Sequence, residues 1–403
     1  MFLKLKIFLK KSLLIFWVNA FIKVSLNSWR LKRLYRHYQS QAVRKGIKYN
    51  ESEIVNQVRD RLVARGVQIK PLPRGKLRIF YVGSHYEQDV SGFLQALKNF
   101  GGEVIPLIND YNGYNPNRWV PVPRLGKLAI PQVGEDLLRQ VKKAHQQKPL
   151  NVLIGQMWAD MFHPDVLKNI QALGIPVINI MMDDTYVFHW SKYKGRRLGS
   201  VGLVGGLDLV LTTFSDACLW YAIEGCPAIY WPLASSPDFF YPRREKIYDV
   251  VFVGSNMGFR EQLVKKILKA GIKIEAFGPG FPNGFIKAEK ISEVFGKAKI
   301  VLGISYIGYN KDVMGLKLRD FDALMSGALC ITTRNPDLLK LFEEGKEIEC
   351  YDTIDECITK IRFYLANPDK LKAVAEAGLK KARENYTWEK NIEKALKFIG
   401  LID

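Results

Sequence analysis

At 403 residues, with 48% hydrophobic and 25% charged side chains, the chain has room for two domains with separate cores, and its make-up excludes collagen-like, disordered and disulfide-scaffold classes. Five cysteines (Cys218, Cys226, Cys330, Cys350, Cys357) form no C-x-x-C pair and have no histidine at ligand spacing, so neither a disulfide framework nor a metal site is expected. The net charge of +20 is uneven: residues 1–70 hold sixteen Lys and Arg against Glu51, Glu53 and Asp60, which leaves +7 for the rest of the chain.

Residues 1–70 therefore read as a basic arm. Its apolar run from Leu13 to Ile22, bounded by Lys10, Lys11 and Lys23, falls well short of the roughly 20 residues that a spanning helix needs. No small-residue cleavage site follows it. A basic amphipathic helix in the headgroup plane fits, with Phe16, Trp17 and Phe21 as interfacial side chains. The expected partner is an anionic membrane surface at the cytoplasmic face. A helix docked on the protein's own surface is the alternative. No nucleic-acid partner is expected, because the basic residues interleave with an apolar helix face. On the membrane reading, removal of residues 1–40 leaves the domains folded, since the first strand begins only at Leu77.

From Lys76 the pattern becomes short apolar runs alternating with amphipathic stretches. Leu77 to Val82, Val104 to Ile108, Val152 to Ile154, Val177 to Met182, Leu207 to Thr212 and Ala228 to Trp231 are continuous rather than alternating, the mark of buried parallel strands. Helices are predicted over Val90 to Phe100, Gly134 to Gln147, Pro164 to Leu173 and Asp216 to Glu224. After the polar, proline-punctuated stretch SSPDFFYPRRE (235–245) the same grammar restarts. Strands are predicted at Asp249 to Val253, Ile274 to Phe277, Ile300 to Ile304 and Ala328 to Thr332, with helices at Phe259 to Ala270, Ile291 to Ala298 and Gly315 to Ser326. Three amphipathic stretches close the chain. The expected fold class is α/β, with two tandem Rossmann-like domains at 76–240 and 246–385, and a terminal helix in 386–403 that crosses back to the first domain.

The chemistry-bearing motifs lie mainly in the second half. YDVVFVGSNMGFRE (248–261) is a strand, then Gly254, Ser255 and Asn256, then a helix start with Arg260. Glycine admits close backbone approach, and a helix start offers unpaired N–H groups, which together suit a phosphate. A cation against the positive end of the helix dipole costs energy that a bound anion offsets. An ordinary tight turn is the alternative. In KDVMGLKLRDFDALMSGALCITT (311–333), helical geometry puts Leu318, Phe321 and Met325 on the apolar stripe, Asp322 about 65° from its centre and Arg319 about 125° away. Asp322 is thus expected at the edge of the core. One reading is an Arg319–Asp322 surface salt bridge; the other is that Lys317 and Arg319 neutralise a diphosphate while Asp322 accepts from ligand hydroxyls.

These segments, taken with FGPG (277–280), KAKIVLGIS (297–305), DLLKLFEEGKEIECY (337–351) and YTWEKNIEKAL (386–396), resemble the C-terminal half of group-1 glycosyltransferases of GT-B fold, in their CgeB-like (spore-maturation) branch. TTFSDACLWYAIEGCPAIYWPLASSPDFFYP (212–242) extends the resemblance into the end of the first domain. It implies a nucleoside-diphosphate sugar as donor, an unidentified glycan, lipid or protein acceptor, and retention of configuration. It implies a donor site built from Gly254, Ser255, Asn256, Gly278, Pro279, Arg260, Lys317, Arg319 and Asp322, the last in the place of the second glutamate of the E-x7-E element, which binds ribose hydroxyls. Met314 stands where the first glutamate is expected. Asp183, in VINIMMDDT, stands where related enzymes carry a histidine near the reacting sugar. His85 is a candidate contact on the acceptor side, Trp158 either stacks on a sugar or packs, and His163 and His189 are read as structural. Fixed cations are expected to stabilise the leaving diphosphate without a metal or cofactor. The alternative function is a non-catalytic, bilobed nucleotide- or sugar-binding or scaffold protein of the same fold.

Overall fold

Continuous apolar runs build strands covered on both faces, and the first of two sheets is made in this way. The structure, a computed structural model, describes residues 28–83, 88–107, 124–189 and 191–403. Strands β1 (Leu77–Val82), β2 (Gly101–Pro106), β3 (Val152–Gly155), β4 (Val177–Met181), β5 (Leu209–Thr212) and β6 (Ala228–Tyr230) form a parallel sheet in the order β6-β5-β4-β3-β1-β2. Every residue of β1, β3, β4 and β5 is buried. The helix expected over Val90 to Phe100 is broken: a wide turn at Asp89–Phe93, with Gly92 at φ 116°, precedes the regular helix Leu94–Phe100.

The second sheet repeats the plan with β7 (Tyr248–Val253), β8 (Ile274–Phe277), β9 (Ala298–Leu302), β10 (Leu329–Thr333) and β11 (Glu349–Tyr351), ordered β8-β7-β9-β10-β11 and again parallel. In each sheet the order reverses beside the first strand, which opens a crevice at the carboxyl ends of the strands, between β7 and β9 in the second lobe. The short edge strand β11 escaped the sequence pattern because Glu349 interrupts its apolar run; its buried carboxylate is held by Lys360 Nζ at 2.7 Å and Tyr364 OH at 2.9 Å.

The lobes meet where the chain crosses between them. Ser235 N donates to Tyr386 O at 3.0 Å, and Trp388 N donates to Ser235 O at 3.1 Å. The terminal helix Trp388–Phe398 then returns to the first lobe, Trp388 lying edge-on to Phe93 at 5.2 Å and Asn391 O accepting from Trp231 Nε1 at 2.8 Å.

In its described part the N-terminal segment is helical and docked rather than free. In the helix over 28–45, Tyr38 is 3% exposed, stacks on Trp220 at 5.4 Å, and donates from its hydroxyl to Glu224 at 2.6 Å. Helix Glu51–Ala64 buries the stripe Ile54, Val58 and Leu62 against the main core. The expectation that residues 1–40 can be removed without touching the fold does not hold for the described part, since a cut at 40 removes Tyr38 from an aromatic stack. The Leu13 to Ile22 run lies outside the described residues. Among the described residues no helix is long and apolar enough to cross a membrane.

Candidate active site between the lobes

The loop leaving β7 is shaped by what it must pass. Gly254 has φ 153°, and a Cβ there would lie 3.2 Å from Arg319 Nη2 and 3.5 Å from Arg260 Nη1. Gly278 (φ 127°) leaves no room for a side chain, because its Cβ would come within 2.2 Å of Gly254 O. The loops after β7 and β8 are tied together: Gly254 N donates to Phe277 O at 2.9 Å, Asn256 N to Pro279 O at 2.8 Å, and Asn256 Nδ2 to Gly280 O at 3.1 Å. Gly278, Pro279 and the Asn256 amide thus hold the loop's shape, while Gly254 clears space beside two guanidinium groups.

Three cations from two helix starts converge there. Arg260 opens helix Arg260–Lys269, and its Nη1 donates to Ser255 O at 3.1 Å and Ser255 Oγ at 3.0 Å. Burial, and then the neighbouring charge of Arg319, push its guanidinium down to about 10. Arg319, in the first turn of helix Leu318–Met325, lies over the Phe252 ring at 4.4 Å with Nε and Nη1 buried and unpartnered. Burial lowers its pKa, with Asp320 opposing. Lys317, the cap of the same helix, is also lowered by burial and by both arginines, and its Nζ lies 3.9 Å from Asp183 Oδ1 on the other lobe. Like charges packed this closely cost energy in the free protein, and a bound anion offsets that cost.

The acids sort by environment. Asp183 and Asp184 follow β4, and the chain turns one in and one out. Asp184 is buried, accepting from Ser200 Oγ at 2.5 Å, Thr212 Oγ1 at 2.6 Å and Tyr221 OH at 2.9 Å; burial pushes it up to about 6. Asp183 faces the cleft and Lys317. Replacing Asp184 with Ala strands three buried hydroxyls and is expected to destabilise the fold by about 3 kcal/mol, whereas Asp183→Ala leaves thermal melting unchanged.

Asp322 is at the core edge as expected, but not in a surface salt bridge: Ser235 Oγ donates to its Oδ1 at 2.7 Å, at the crossing between the lobes. Burial, with Asp320 adding, pushes it up to about 8. The sign of the pH dependence follows. A carboxyl raised above its unfolded value favours folding when protonated, so its contribution is present at low pH and lost as pH rises from about 4 to about 8. Denaturant midpoints of the parent should fall across that window, and those of Asp322→Asn should fall less.

Asp320 was not anticipated. Helical spacing places it away from the apolar stripe, yet Asp320 through Met325 are all buried. Its carboxylate abuts Gly303 at the end of β9, where a Cβ would lie 2.3 Å from Oδ1. Burial pushes it up to about 6, opposed by Arg319, Lys317 and the neighbouring Thr332 hydroxyl. His85 lies outside the described residues. Trp158 packs on the first lobe's core, and His163 Nδ1 accepts from Asp165 N at 3.2 Å as a helix cap. Among the described residues no group of three or more His, Cys, Asp or Glu is placed to hold a metal ion.

Residues 259–397 match the model of a family described as glycosyl transferase-like. No curated protein matches the chain significantly. Among solved structures, the sucrose-phosphate synthase of Thermosynechococcus elongatus is similar over 80% of this chain and 98% of its own, at 12% identity and TM-score 0.55. Anabaena Alr3699/HepE, solved in complex with UDP-glucose, is similar over 80% of this chain and all of its own, at 10% identity and TM-score 0.55. With two Rossmann-like sheets facing across a cleft, the chain has the GT-B fold, and its second lobe carries the match to glycosyl transferase-like proteins.

Proposed function

We propose that the protein transfers a sugar from a nucleoside-diphosphate sugar to an acceptor hydroxyl. The observation that carries this reading is the cluster of Arg260, Lys317 and Arg319 around Gly254, with Arg319 Nε and Nη1 buried and unpartnered at the crevice of a parallel sheet. In the reaction, the bond from the anomeric carbon to the diphosphate oxygen breaks, and a bond to the acceptor oxygen forms. The acceptor's proton passes to the leaving phosphate, which retains configuration. The three cations, with the N–H groups near Gly254, stabilise the charge that builds on the diphosphate. Asp322 with Ser235 takes the ribose end, and Asp183 meets the reacting sugar from the other lobe, with His85 on the acceptor side. In this reading fixed cations replace a metal, the family branch is the CgeB-like one, and the N-terminal basic arm, through its Leu13 to Ile22 run, touches an anionic membrane.

Incubation with UDP-, GDP- and ADP-sugars tests it. Slow release of the free nucleoside diphosphate, insensitive to EDTA and lost in Lys317→Ala, is the expected result. Tight nucleotide binding with no release and no transfer favours the non-catalytic alternative, for which Met314 in place of a glutamate is the motivating residue.

A further inference from the structure

Beside the cation cluster the cleft opens into a cavity of about 600 Å³ with walls from three parts of the chain: the N-terminal helix, the first lobe and the second lobe. It adjoins the reacting centre, since a Cβ on Gly315 would lie 3.5 Å from Lys317 Nζ and 3.6 Å from Thr185 Oγ1, and Thr185 lines the cavity. The helix over 28–45 roofs it and is fastened to both lobes: Arg30 Nη2 donates to Tyr186 O at 2.7 Å, and Ser28 Oγ to Asn310 Oδ1 at 3.0 Å.

Two buried polar groups on the walls lack partners, the Thr185 hydroxyl (9% exposed) and Asn335 Nδ2 (3% exposed). Asp216 adds a carboxylate raised by burial and by Asp337. Tyr35, 42% exposed, and Phe214 add aromatic rings to the lining. Two ion pairs close within the protein, Lys340 with Asp337 at 2.7 Å and Lys32 with Asp312 at 3.7 Å, and Lys311 lies 5.5 Å from the Phe259 ring; with Arg36 and Asp216 the lining holds four cations against three carboxylates. Unpaired hydroxyl and amide groups beside aromatic rings, with most of the lining charge paired or nearly balanced, suit a polyol, and the volume lies in the range of small-ligand sites, about 300–1,000 Å³.

We infer that this cavity is the acceptor site for an uncharged saccharide, completed by the N-terminal helix, with Tyr35 as its stacking platform and Asp216, Thr185 and Asn335 as its hydroxyl contacts. The inference rests on the glycosyltransferase reading and names its acceptor class. The test uses the full chain saturated with UDP and saturation-transfer NMR against methyl glycosides of glucose, galactose, mannose and N-acetylglucosamine, with glycerol phosphate as the anionic arm. At least one glycoside should receive saturation, and its affinity should fall about tenfold in Tyr35→Ala and in Asp216→Asn, while both variants keep the parent's UDP affinity and melting temperature. Absence of glycoside binding to a UDP-bound chain overturns the inference while leaving the donor reading intact. So does unchanged glycoside binding in both variants, or preference for glycerol phosphate. Failure of the parent chain to bind any nucleoside diphosphate overturns both readings.

Discussion

Arg319→Ala is expected to weaken nucleoside-diphosphate binding ten- to a hundred-fold without unfolding the protein. The guanidinium sits over Phe252 with two nitrogens buried and unpartnered, so its hydrogen-bonding capacity is available to a ligand rather than to the fold. A charge-assisted contact to an anion contributes about 1.5–3 kcal/mol, which sets that range of affinity. Removing the charge also relieves Arg260, whose guanidinium it depresses, so part of the loss is recovered by its neighbour. The double variant Arg260→Ala/Arg319→Ala should therefore lose more than the sum of the single changes. Calorimetric titration of the parent, both single variants and the double variant with UDP or GDP reads this coupling directly. Circular dichroism confirms that each variant is folded.

The second large effect concerns Tyr38. Its ring is stacked on Trp220 and edge-on to Phe188, and its hydroxyl shares Glu224 with Arg197. Truncating a buried aromatic costs about 3–5 kcal/mol, so Tyr38→Ala should lower the melting temperature by on the order of 10 °C. A chain beginning at residue 41 loses the same ring, together with the roof of the cleft, and should be at least as unstable. A chain beginning at residue 28 keeps both and should melt like the parent, while no longer sedimenting with anionic vesicles at low salt. If the chain starting at residue 41 melts like the parent, the docked helix contributes nothing to the fold.

The contrast between the halves of the chain shows what a sequence reveals. Strands β1, β3, β4, β7 and β9 were legible because parallel strands covered on both faces need unbroken apolar runs, and little else produces them. Arg260 stood out because a cation at a helix start runs against the dipole. Asp320 was hidden because amphipathic spacing presumes a wide wet face, whereas every residue from Asp320 to Met325 is buried. Asp183 and Asp184 are chemically identical neighbours; only the turn after β4 decides which meets Tyr221 and which meets Lys317. At the N-terminus the charge count outweighed a signal that was present: Ile54, Val58 and Leu62 recur at helical spacing and mark a buried face. Asp322 was placed correctly at the core's edge, but its partner, Ser235, is 87 residues away and no local pattern points to it.

The central claim is that Arg260, Lys317 and Arg319 form a preorganised site for the diphosphate of a sugar nucleotide. Isothermal titration of the full chain with UDP, GDP and ADP, each with and without EDTA, tests it most directly. The structure predicts that at least one of the three binds with a Kd on the order of 10–100 µM or tighter, as expected for several charge-assisted contacts, and that EDTA changes nothing. If none of the three binds more tightly than inorganic phosphate, the cation cluster is not a nucleotide site and the account is wrong.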